Sequence, residues 1–130
     1  MFGRSSLAVV LGTGVALMVG ASSRPAFAIK EFFDEFKAVY VKPDSSDANE
    51  KALAAEVETA KCNVCHAGSN KKERNPYGNA LADLLDKKED KKDTAKIRGA
   101  LEKVAAMPSG DGKPTFGDLI KQGKLPGAAN

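Results

Sequence analysis

A chain of 130 residues is sized for one domain. With no tryptophan and only eight other aromatic residues it can build only a modest apolar core of its own. Its 20 Lys and Arg against 17 Asp and Glu give a small basic excess, which shrinks further on processing. Residues 1–28 read as a secretory signal: Arg4 supplies the charged start, Leu7 to Gly20 the apolar run, and Ala26-Phe27-Ala28 a small-x-small cleavage site. The run is too short and too interrupted by glycine for a membrane span. Cleavage after Ala28 would remove Arg4 and Arg24, leaving 102 residues with an excess of one positive charge. A nearly neutral chain gives no support for nucleic-acid binding. The expected location is periplasmic or otherwise exported.

Ile29, Phe32, Phe33, Phe36 and Tyr40 stand at helical spacing among charged residues, which predicts an amphipathic helix ending before Pro43. Its aromatic stripe reads as core, with a partner-docking face as the other reading. Asp47 is placed to cap a second helix, with Glu50 completing a capping-box-like start. Leu53, Val57 and Ala60 give that helix an apolar line running into Cys62.

Ala67 to Asn75 reads as a polar loop. Asn75-Pro76 reads as an N-cap with proline at the first helical position. The third helix is expected to reach about Lys87, with Tyr77, Leu81, Leu84 and Leu85 inward. Lys87 to Lys92 then looks like a solvated connector. Asp93 caps a fourth helix with Ile97, Leu101, Val104 and Ala105 on its apolar line, ending near Met107-Pro108. Gly99 inside it marks either a close backbone approach or a tolerated glycine. Thr115, with Asp118 three residues on, caps a short last helix whose inner face is Phe116, Leu119 and Ile120; Gly123 ends it. No strand is expected, so the fold class is all-α, a small domain of four to five helices.

The chemistry concentrates in Cys62-Asn63-Val64-Cys65-His66, which holds the only two cysteines and the only histidine of the chain. Cys-x-x-Cys-His is the attachment pattern for a c-type haem. At the end of a helix the two thiols and the imidazole share one face. The thiols can take the two vinyl groups of a porphyrin, and His66 can ligate the iron. A zinc site would have to recruit carboxylates. A thioredoxin-like pair lacks its strand–helix context, and a plain disulfide, though compatible with export, leaves His66 without a role. Two haem propionates would bring the mature net charge to about −1. A buried porphyrin would be a large part of the core.

No second histidine is available for the other side of the iron. Met107 is the only methionine beyond residue 28 and is the candidate second axial ligand; ordinary gap-filling core, lysine ligation or an open position are the alternatives. The carbonyl of Asn75 or Pro76 is the expected acceptor for the remaining ring N–H of His66.

These residues resemble the small class I c-type cytochromes: Cys62-x-x-Cys65-His66 after a helix, a proline loop at Pro76, and Met107-Pro108 before a C-terminal helix, together covering about residues 48–122. The helix before Cys62 lacks the family's Gly-and-aromatic pair, the last helix is short, and the aromatic helix in residues 29–47 is an extension. The resemblance implies one covalent haem c in a helical shell, attached outside the cytoplasm by cytochrome c maturation machinery. It also implies single-electron transfer with redox partner proteins rather than catalysis. Lys71, Lys72 and Arg74 would steer an acidic partner, or are simply a solvated basic loop. The alternative function is a haem-based ligand-binding or sensor module with an open distal iron position. A peroxidase would need a distal acid–base pair, and none is visible.

Overall fold

Caps and apolar spacing decide where the elements fall. The computed structural model describes residues 29–69 and 72–128, so the signal reading at 1–28 lies outside it. Among the described residues there are five helices and one two-stranded hairpin: α1 (Lys30–Tyr40), α2 (Ala48–Ala60), α3 (Pro76–Ala82), α4 (Thr94–Ala105), α5 (Phe116–Lys121), β1 (His66–Ala67) and β2 (Glu73–Arg74). No described helix is long and apolar enough to cross a membrane.

Four of the five helices begin on the side chain foreseen for them. Asp47 accepts from the N–H groups of Asn49 and Glu50, Asn75 from Gly78, Asp93 from Lys96, and Thr115 forms a full capping box with Asp118. Glu50 is not part of a box at α2; its carboxylate pairs with Lys42 Nζ at 2.8 Å instead. Gly123, at φ 75°, ends α5 in the left-handed conformation.

The aromatic face of α1 lies on α4, which also touches α3 and α5, while α5 reaches back to α2. Phe36 is buried, with ring centroids 5.2 Å from Tyr40 and 5.9 Å from Tyr77; Tyr77 meets Phe116 at 5.3 Å. Such tilted and edge-on pairs are the favoured aromatic arrangements. Leu53, Val57, Ile97, Leu101 and Val104 close the same core. Two polar links hold α1 in place: Tyr40 Oη donates to the Leu101 carbonyl at 3.2 Å, and Arg98 Nε pairs with Glu35 at 2.7 Å.

Three expectations are corrected. The loop after His66 contains an antiparallel pair, His66 opposite Arg74 and Ala67 opposite Glu73. The third helix ends at Ala82, not Lys87, and Leu84 faces outward. Asp86 explains the early stop. Its side chain accepts from the N–H groups of Lys88 (2.7 Å) and Glu89 (3.0 Å), offering the backbone an alternative to another helical turn. The charge run that follows is not wholly solvated: Asp90 is buried, accepting from the Asp86 N–H and from Lys96 Nζ, both at 2.7 Å. Gly99 has open space around its Cα and marks no close approach.

The Lys96 ammonium first, and then the Asp86 N–H, hold the Asp90 carboxyl below its ordinary value of 3.8. The stabilisation from a depressed carboxyl is fully present above the unfolded-state value and is lost as pH falls through the folded-state one. Asp90→Asn is therefore expected to lower the melting temperature at pH 7. The gap from the parent protein should narrow below about pH 3.8, as read by circular dichroism melts across pH.

Candidate functional site

The Cys-x-x-Cys-His stretch leaves the helix before its first cysteine. α2 stops at Ala60, and Lys61, at φ 49°, is the one described non-glycine residue with positive φ. The chain then makes a single 3-10 turn over Lys61–Val64, closed by the Cys65 N–H on the Cys62 carbonyl at 3.3 Å, with Val64 buried as its anchor. The motif thus stands on a tight turn rather than an α-helical end, and His66 opens β1. Both cysteines are free thiols.

His66 is buried, and its Nδ1 lies 3.2 Å from the carbonyl of Glu73. With the proton on Nδ1 that nitrogen donates to the carbonyl and leaves the Nε2 electron pair free for a ligand. The acceptor is Glu73, not Asn75 or Pro76, because the β1–β2 hairpin sets Arg74 opposite His66 and Glu73 opposite Ala67, within reach of the ring.

Asn75 does more than cap α3. Its Nδ2 donates to the carbonyls of Asn63 (3.2 Å) and Val64 (3.0 Å), its Oδ1 accepts from Gly78 N–H (2.9 Å), and its own N–H donates to the Cys65 carbonyl (3.1 Å). One buried amide therefore ties the motif turn to the start of α3. The contact is so close that a Cβ on Gly78 would lie 2.0 Å from the Cys65 oxygen. At the other end of the chain Gly127 backs the same amide, where a Cβ would fall 2.0 Å from Nδ2. The cap itself was legible in the Asn-Pro pair; the bonds to residues 63 and 64 depend on spatial proximity alone.

Cys62, Cys65 and His66 open into a cavity of about 410 Å³. Ile29, just ahead of α1, and Phe32, Phe33 and Phe36 of that helix line it, as do Gly78, Leu81 and Leu85; Lys61, Arg74, Asp83, Asp86 and Lys87 supply its charged groups. Of the basic residues singled out in the sequence, Arg74 reaches this cavity, Lys72 is exposed outside its lining, and Lys71 lies outside the described residues. Met107 is not part of the lining. It follows α4, 43% exposed, with its N–H on the Val104 carbonyl (2.9 Å) and its carbonyl accepting from Phe116 (3.0 Å).

Burial, with a further contribution from Cys62, pushes the Cys65 thiol up to about 12. Among the described residues no group of three or more His, Cys, Asp and Glu side chains could hold a metal ion. Paired free thiols, one imidazole backed by a carbonyl, and largely apolar walls suit the vinyl groups, iron and ring of a porphyrin. Comparison with known proteins finds no matching family model, no matching curated protein and no matching solved structure.

Two substitutions check the join between motif and α3. Gly78→Ala is expected to destabilise the protein by about 1–3 kcal/mol through backbone overpacking. Asn75→Ala, which strands buried carbonyls, should do so by roughly 1–3 kcal/mol. Urea unfolding at constant m-value reads both.

Proposed function

We propose that this chain is an exported monohaem c-type cytochrome, an electron carrier rather than an enzyme, similar to the class I cytochromes in its motif. The observation that carries the reading is the convergence of both thiols and a carbonyl-backed imidazole on one largely apolar cavity. Bound haem would supply a one-electron iron couple. Cys62 and Cys65 would hold it covalently, and His66 Nε2 would ligate its iron.

The remaining residues act on the site without bond chemistry. Glu73 fixes the imidazole tautomer and raises its basicity through the Nδ1 hydrogen bond. The join at Asn75 and Gly78 keeps the thiols and the ring at a fixed separation. Phe32, Phe33 and Phe36 exclude water, and burial of this kind is one of the protein's levers on potential. Lys61, Arg74 and Lys87, set against Asp83 and Asp86, leave the cavity lining a small cationic excess, which would help steer an acidic redox partner at low ionic strength. Haem attachment would fall to maturation machinery after export, in keeping with the signal read at residues 1–28.

The test is the absorption spectrum and intact mass of the protein expressed with its full leader and a c-type maturation system. The parent protein is expected to be coloured, heavier by one haem, and to keep that mass after acid–acetone extraction. Cys62→Ala/Cys65→Ala should lose the covalent mass completely. A colourless parent chain whose thiols are joined to each other would end this reading.

A further inference from the structure

The cavity at the thiols has a third side, held less firmly than the other two. Asp83, Leu85, Asp86 and Lys87 line it from the loop that follows α3. Of residues 83–89 Leu85 alone is buried; the others face solvent. The hydrogen bonds of the loop fold it on itself. The Leu84 and Leu85 N–H groups donate to the Leu81 carbonyl (3.1 and 3.0 Å), and the Asp86 carboxylate accepts from Lys88 and Glu89.

The polar tie from this loop to α4 is Asp90, a buried carboxylate to which the proposed function gives no role. One of its oxygens accepts from the Asp86 N–H and the other from Lys96 Nζ, both at 2.7 Å. The Asp90 side chain is 8% exposed and that of Lys96 51%, so the pair sits at the edge of the fold. A buried charge without its cation is costly. Without Lys96 the favoured state is therefore one with Asp90 in water, and Asp86 with its turn goes with it. The motif side of the cavity, by contrast, is closed by the buried Asn75 bonds, and the α1 side by Phe36 packed on Tyr77.

We infer that residues 83–90 are a lid over the thiol cavity, latched by Asp90 between Lys96 and the Asp86 N–H, and that apolar molecules reach Cys62 and Cys65 by its release. The lid moves about the end of α3 at Ala82 and keeps its internal bonds. Opening costs the latch and the burial of Leu85, and leaves the remaining core closed. Local openings of this kind lie below the free energy of global unfolding. The device governs access, and it holds whatever group the cavity takes.

The experiment is native-state hydrogen exchange on the full chain as purified, read residue by residue by NMR. It is paired with N-ethylmaleimide labelling of Cys62 and Cys65 in the same chain made without haem attachment and kept reduced. Lys96→Met is expected to speed exchange at Leu84, Leu85 and Asp90 about tenfold, and thiol labelling by the same factor. The Asn75 and Gly78 amides should keep the rates of the parent protein. Lys96→Arg, which keeps the cation, should behave as the parent in both measurements.

Faster exchange shared by Asn75 and Gly78 would mean a loss of stability throughout the fold, and would overturn the inference. So would a labelling rate that Lys96→Met leaves unchanged. A third contrary result would be Arg98→Met, which cuts the Arg98–Glu35 pair on α1, raising the labelling rate as much as Lys96→Met does. Each of those results leaves the haem reading standing, because that reading is decided by colour and mass. A colourless protein would in turn leave the lid standing.

Discussion

The structure turns on one buried amide. Asn75 bonds two carbonyls of the motif turn, receives the Gly78 N–H, and donates its own N–H to Cys65, so the turn and the start of α3 form a single unit. A buried polar side chain is costly unless its partners are supplied, and here they come from two separate stretches of chain. The same unit leads directly into the β1–β2 pair that places the Glu73 carbonyl on His66. Local backbone pairing and tertiary placement of the imidazole are therefore one event.

Against that rigid side stands α1, which is held differently. Its attachment is Phe36 in the core with Phe32, Phe33, Val39 and Tyr40 packed around it, one phenol bond and one partly exposed ion pair. Exposed pairs of that sort contribute on the order of 0–1 kcal/mol. The cavity thus has one wall set by buried backbone bonds and another set by side-chain packing.

Much of this was readable beforehand, for definite reasons. Asp47, Asn75, Asp93 and Thr115 announce their helices because the physics of a cap is local, and all four accept the expected N–H groups. The core positions Phe36, Leu53, Val57, Leu101 and Val104 follow from periodicity. What escaped is short or long-ranged. Strands of two residues leave no alternation to detect, and Asp86 ends α3 by a side-chain turn that competes with helix. Spacing along the chain could single out Met107 as the available thioether but not its exposure after α4. It could give α1 an inner face but not show that this face borders the cysteines.

Gly127 gives the C-terminal turn an unexpected reach. Because its backbone lies flush against the Asn75 amide, the far end of the polypeptide acts as a stopper behind the motif. Shortening the chain before that glycine, or giving it a side chain, would loosen the histidine from a distance without touching it.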